Sequence, residues 1–480
     1  MNEDTNNNGV HASGLLQRLG LFSAFLVVVS SMIGSGVFKK VGPMSAELGN
    51  AWYVLLAWVV AGAITWFGAI SNAEVAGLIA EPGGQYVYFK RMYGRLFAFF
   101  YGWTGFAVVQ SSTMASLGFV FAMSVNQLIP LPRLDASWEA VTVLGYFHPF
   151  ENFGVKLVTI GLLLTLTAIN LRGVQYGKWV SNAFTLTVIA GICFVIFFGL
   201  TSGVGSMDNL AQSVPLKALE GGAIGWMGAF FAAMMQAFWA YEGWNNLGFL
   251  GGEVKNPHRT IPLSLTFGVL FVIGVYVLIN FSYLYLLPVK DFIALQSDEN
   301  AIAAVAVANA FLPGIGATLI TVLILIATFG STNNSILTSP RVYFAMARDG
   351  LFFRKAGELH PVNKVPSGAL LMQSTWACVL VLSGSFDQLT DMLVFAAFIF
   401  YGLGAFGLFV LRKKMPADER KFRVPGYPFV PGFFVAFCAV LVFISLFERP
   451  LESFTGLALI ALGYPFYLWF SASNKPNIPS

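Results

Sequence analysis

The sequence predicts an all-α integral membrane protein of twelve helices, two of them broken partway along. Three observations carry this. Only 10% of the 480 residues are charged and 57% are hydrophobic, against roughly 25% charged in soluble globular domains. Twelve long stretches contain no Asp, Glu, Lys or Arg. One of those stretches holds, and another runs directly into, a polar and glycine-containing cluster where an unbroken span would stay apolar.

The twelve stretches are 19–38, 48–73, 96–132, 157–171, 179–207, 221–241, 260–289, 301–340, 365–386, 392–411, 424–447 and 453–474. A helix crossing a bilayer needs about 20 mostly apolar residues. The mean hydropathy of +0.72 fits a chain whose outer solvent is hydrocarbon. Backbone groups in lipid must be paired within their own segment, so these stretches are read as helices rather than loops. The fourth is short, but Lys156 and Arg172 at its ends can snorkel outward.

Residues 1–9 are polar and acidic rather than basic, so the first stretch is expected to be a permanent helix and not a cleaved leader. Cys193, Cys378 and Cys438 fall in three different apolar runs and are expected to be small core hydrophobes. With both termini placed in the cytoplasm, 20 of the 27 basic residues fall on the cytoplasmic side, as positively charged loops prefer. Lys39, Lys40, Arg133, Lys156, Lys217, Lys290 and Arg449 make up the outer set. The expected location is the cell membrane.

Two stretches are unusual. The first carries Ser30, Ser31 and then Gly34-Ser35-Gly36 in its middle. The sixth ends at an interruption, Glu242, Gly243, Asn245 and Asn246 within Phe238–Asn246, and apolar residues follow. Unwound backbone at that depth is tolerated only where it lines a cavity or binds something, and an acidic residue inside a span costs about 2.5–3.5 kcal/mol and marks function by default. Interrupted segments five spans apart point to a binding site between the halves of an inverted repeat. Half-helix N-termini favour an anion, while half-helix C-termini and free carbonyls favour a cation. A zwitterionic amino acid matches both ends at once.

At these residues the chain resembles the amino acid–polyamine–organocation superfamily, and in particular its L-type amino acid transporter branch. The resemblance runs nearly end to end. It rests on Ile33-Gly34-Ser35-Gly36-Val37-Phe38, Asn72-Ala73-Glu74 through Pro82-Gly83-Gly84-Gln85-Tyr86, Trp239 to Asn246, Glu253-Val254-Lys255-Asn256-Pro257, and Phe329 to Ser335 with Arg341 and Ala347-Arg348-Asp349-Gly350. It implies a LeuT-type inverted repeat of helices 1–5 and 6–10, with helices 11 and 12 outside it. The expected division is a tail 1–18, a first repeat 19–200, an outer loop 201–222, a second repeat 223–411, a cytoplasmic loop 412–427, helices 11–12 over 428–471, and a tail 472–480. The substrate site it implies comprises Ser31, Ile33, Gly34, Ser35, Gly36, Trp239, Ala240, Tyr241, Glu242 and Gly243. Amides at 34–36 would take the carboxylate, carbonyls near Ile33 and over 239–242 the amine, and Trp239 the gating position.

One position departs from the family. Sodium-independent members carry a lysine on helix 5; counted from Asn170 and Val174 through Phe184, that position here is Val188. The coupling region is therefore Val188, Ser331, Thr332 and Glu242, and two mechanisms compete: exchange or facilitated diffusion, and proton- or sodium-coupled symport. Glu74 is expected to pair with the 90–95 loop, and the Arg412–Lys414 cluster to lie among lipid headgroups. Animal members pair with a glycoprotein through a loop cysteine; the segment 131–152 has none, so no disulfide-linked ancillary subunit is expected. No cofactor, metal site or catalytic residue is expected, and no nucleic-acid partner. His11, His148, His258 and His360 are far apart, and neither HExxH nor a P-loop occurs. An amino-acid sensor or a channel are the rivals of a different class.

Overall fold

The computed structural model describes residues 5–6, 10–11, 19–79, 81, 83–143, 147–172, 175–216, 222–298, 300–361, 363, 365–415 and 420–473, with backbone alone for 5–6, 10–11 and 175–183. Most of both expected tails, the counted residues Arg18, Lys217, Lys364 and Lys475, and the motif positions Pro82 and Val174 lie outside the described residues, as does the Lys178 side chain. Thr5–Asn6 pairs with Val10–His11 as a two-residue antiparallel ladder; the rest of the described chain is helix and connection.

Among the described residues ten helices are long and apolar enough to cross a membrane, and Leu21–Met32 and Ser367–Ser383 are shorter apolar helices. In chain order they are α1 (Leu21–Met32), α2 (Ala51–Leu78), α3 (Arg95–Leu128), α4 (Phe153–Leu171), α5 (Gln175–Thr201), α6 (Gly222–Ala240, continued by tighter turns over Trp244–Glu253), α7 (Pro257–Leu286), α8 (Gly316–Thr338, continued by Pro340–Arg348), α9 (Ser367–Ser383), α10 (Phe386–Lys414), α11 (Phe429–Glu448) and α12 (Pro450–Ser473). Each of the twelve apolar stretches overlaps one of them. α1 is short because its stretch is broken after Met32, where Ile33 turns extended (ψ 94°) and 33–35 leave the helix. The chain then resumes as Gly36–Lys39 and Val41–Leu48.

Local chemistry sets several boundaries. Gly49 ends Val41–Leu48 in the left-handed region (φ 59°). The Asn50 side chain then accepts from the Trp52 and Tyr53 amides at 2.9 and 3.2 Å, starting α2. Ser385 and Gln388 form a reciprocal capping box at the start of α10. α2 packs along α7 and α3 along α8, with α1 laid on α7.

Several expectations change. Glu74 does not meet the 90–95 loop. Its carboxylate takes two bonds from Arg412, at 2.9 and 2.6 Å, and one from the Val424 amide at 2.7 Å. Arg412 in turn lies 3.6 Å over the Tyr427 ring, so it is folded into the protein rather than spread among headgroups. The 90–95 charges pair elsewhere: Lys90 with Asp349 at 2.7 Å, and Arg91 with Glu81 at 2.9 Å. Lys39 and Lys40, expected in an outer loop, are both buried, because the chain stays helical past Gly36 instead of leaving the bundle. Cys438 is buried, but Cys378 is half-buried and Cys193 exposed. An apolar run in a bilayer has two apolar surroundings, core and lipid, and composition does not separate them.

Candidate functional site

The two expected interruptions exist and face each other. α6 ends at Ala240, a turn occupies 241–243, and Gly243 adopts a positive φ of 99° before the chain tightens over Trp244–Glu253. A Cβ on Gly36 would lie 2.5 Å from both Cα and Cβ of Ala240, and one on Gly243 would strike the Ser31 carbonyl. Glycine at both positions is what lets the broken spans approach to backbone contact.

A helix end frees carbonyls that buried surroundings must satisfy. Met32, the last residue of α1, and Ala240, the last of α6, both offer their carbonyls to Tyr276 of α7; its hydroxyl lies 2.7 Å from the first and 3.1 Å from the second. The Ile33 carbonyl accepts from the Ser331 hydroxyl at 3.1 Å, and Asn334 Nδ2 donates to Ser31 Oγ at 3.1 Å. Glu242 is buried in the turn of α6, and the Tyr401 hydroxyl of α10 lies 2.7 Å from each of its oxygens.

Between the breaks is a small cavity lined by Ser31, Met32, Gly34, Ser35, Gly36, Trp239, Ala240, Glu242, Gly243 and Asn246, and closed by Gln110, Thr113 and Leu117 of α3. Ser35 Oγ, Trp239 Nε1 and Asn246 Oδ1 are buried without a hydrogen-bond partner in the described protein. Buried polar atoms of that kind are rare in native interiors, and here three border one small space.

Eight of the ten expected substrate-site residues line this cavity. Ile33 instead borders a smaller adjoining cavity, shared with Val188, Ser331, Phe184 and Thr185. Tyr241 turns away: its hydroxyl donates to the Trp58 carbonyl at 3.1 Å and its ring packs edge-on to Trp58. Of the coupling residues, Val188 and Ser331 meet in the adjoining cavity. Thr332 bonds back to the Thr328 carbonyl at 2.7 Å within α8, and Glu242 belongs to the central cavity. Gln110, Thr113, Leu117, Tyr276 and Tyr401 carry no signal in the sequence, since each lies on an otherwise ordinary span; Asn334 lies within the Phe329–Ser335 motif but is not among the expected site residues.

Beyond Trp239 lies a larger vestibule of about 160 Å³ bordered by Lys39, Lys156, Asp298, Asp387 and Phe386. The Trp239 and Phe386 rings meet edge-on at 6.0 Å between vestibule and cavity. Lys39 and Lys40 ammoniums sit 4.7 and 4.5 Å from the centre of the same Phe386 ring.

These features define a multi-pass membrane protein built around a small polar cavity between two opposed helix breaks. The amino acid permease family profile matches residues 19–478, and the chain belongs to that family. It is similar to the serine/threonine exchanger SteT of Bacillus subtilis (strain 168), at 30% identity over 457 residues that cover 95% of this chain and 97% of the relative. The b(0,+)-type amino acid transporter 1 of Mus musculus is 24% identical over 98% of this chain and 91% of its own. The large neutral amino acids transporter small subunit 2 of Homo sapiens is 28% identical over 94% and 80%.

Proposed function

We propose that this chain carries amino acids across the cell membrane by alternating access, as an exchanger or facilitator and not as an enzyme. One observation carries the reading: two helix breaks meet at backbone distance around one small cavity that holds unpartnered polar atoms. The amides at Gly34, Ser35 and Gly36 and the Ser35 hydroxyl take the carboxylate. The Ala240 carbonyl, which has a second lone pair, takes the amine. Trp239 covers the substrate, and Glu242 receives a cationic side chain. Twelve spans, a five-plus-five inverted repeat and cytoplasmic termini complete the reading. The packing of α2 on α7 and of α3 on α8, around broken α1 and α6, supports the repeat. The absence of cysteine from 131–152 supports a carrier without a disulfide-linked subunit.

A second reading, ion-coupled symport, is favoured by Val188, which leaves the cavity beside Ile33 and Ser331 without the family ammonium. Purified protein in proteoliposomes separates the two. Uptake of labelled amino acid that requires unlabelled amino acid inside supports exchange. Accumulation driven by an imposed proton or sodium gradient supports symport, and no uptake of any amino acid defeats the carrier reading.

A further inference from the structure

We infer that Phe386 is the second leaf of a two-ring gate between vestibule and cavity, and that the ammoniums of Lys39 and Lys40 are the positioning groups that hold it against Trp239. This deepens the carrier reading and rests on it. Three elements meet at the Phe386 ring. Trp239 comes from the last turn of α6 and contacts it at 6.0 Å with the planes 85° apart. Lys39 and Lys40 come from the segment after the first break, with their ammoniums 4.7 and 4.5 Å from the ring centre. Phe386 itself is the first residue of α10 and is buried.

A buried ammonium is costly unless its surroundings answer the charge. The face of an aromatic ring is negative and does so in part, most strongly where water is excluded. Here two buried ammoniums use one ring. Lys40 also donates to Gln236, one helical turn before Trp239, and to Asp387, the neighbour of Phe386. It therefore fixes the position of both gate rings. Lys39 lies 3.3 Å from the Met123 sulfur of α3 and borders the vestibule. The Ser385 and Gln388 capping box holds the start of α10, so the Phe386 backbone is the fixed post. Carrying the segment after the first break away from α10 strips both ammoniums from the ring. Carrying the end of α6 away removes Trp239. Movement of either broken span thus releases the same leaf, and the lysines set how readily it is released.

Ring electronics test this without disturbing the packing. A trifluorinated phenylalanine in place of Phe386 keeps the shape of the ring and empties its face of negative charge. Thr113→Cys places a thiol on the cavity wall, and a charged methanethiosulfonate reagent reports how often the cavity opens. Purified full-length protein without that thiol gives the background from the native cysteines. Fluorination should quicken labelling of the Thr113→Cys thiol by about fivefold, with the melting temperature close to the parent. In a Lys39→Met background the quickening should fall to less than half, because one of the two ammoniums is already gone. Exit of a bound labelled amino acid should quicken by the same factor. The labelling arm uses no amino acid, so it stands or falls apart from the carrier reading. Unchanged labelling on fluorination, or the same quickening with and without Lys39, overturns the assignment.

Discussion

Lys40 Nζ lies 2.8 Å from Asp387 Oδ1, joining the segment just after the first break to the start of α10. The same ammonium donates to Gln236 of α6 at 2.6 Å and to Thr390 at 3.1 Å. Gln236 continues to Asp391 at 3.2 Å, and Arg449 bridges Asp391 and Glu47 at 3.4 and 2.9 Å. Both broken spans are thereby anchored to α10 and to the connection between α11 and α12.

The two partners are not equivalent. The Lys40 side chain is 0% exposed and that of Asp387 is 54% exposed. Removing the carboxylate leaves a buried ammonium bonded to the neutral Gln236 and Thr390 oxygens, whereas removing the lysine leaves a carboxylate that water can reach. Asp387→Asn should cost about 3 kcal/mol and Lys40→Met about 1 kcal/mol. Melting curves of the two variants in detergent check this; a lower melting temperature for Lys40→Met than for Asp387→Asn contradicts it.

Gly36→Ala should abolish amino acid binding while the protein still inserts and purifies. The added methyl has no place, since Ala240 backbone already occupies its position, and a backbone atom cannot rotate aside. Equilibrium binding on purified protein is the readout, and an affinity within threefold of the parent would count against the site.

Glu242→Gln should lower uptake of arginine or lysine by about tenfold relative to serine, because a charge-assisted contact is lost while the Tyr401 bond keeps an acceptor. Competition uptake in proteoliposomes reports the ratio. An equal fall for cationic and neutral substrates would assign Glu242 to structure alone.

Glu74→Ala should destabilise the protein by about 3 kcal/mol with substrate affinity unchanged. It leaves Arg412 and the Val424 amide without their acceptor, far from the cavity at the opposite end of α10. Thermal melting and binding measured on one preparation separate the two effects; a tenfold affinity loss would mean that this end of α10 talks to the site.

The breaks are legible in the sequence because they demand unusual residues. Gly34, Gly36 and Gly243 permit close approach, and Glu242 in an apolar run has no other ready reason. What stays hidden depends on partners distant in the chain. Tyr276 looks like any tyrosine in a span until two helix ends arrive at its hydroxyl. Lys40 reads as a loop charge until Asp387, 347 residues later, is folded against it. Glu74 reads as structural, yet its partner lies on α10 and not in the nearby basic loop. Tyr241 joins the expected site only by adjacency to the break. The direction of its side chain follows from the turn geometry, which the residue types alone do not specify.

The edge-to-face contact of Trp239 with Phe386 has a thermodynamic corollary. Separating those rings to join vestibule and cavity wets apolar surface, so the opened form has the larger heat capacity. The penalty for wetting that surface shrinks as temperature falls. Chilling should therefore enrich the form in which the vestibule and the substrate cavity are continuous, and a van't Hoff plot of its population should curve rather than run straight.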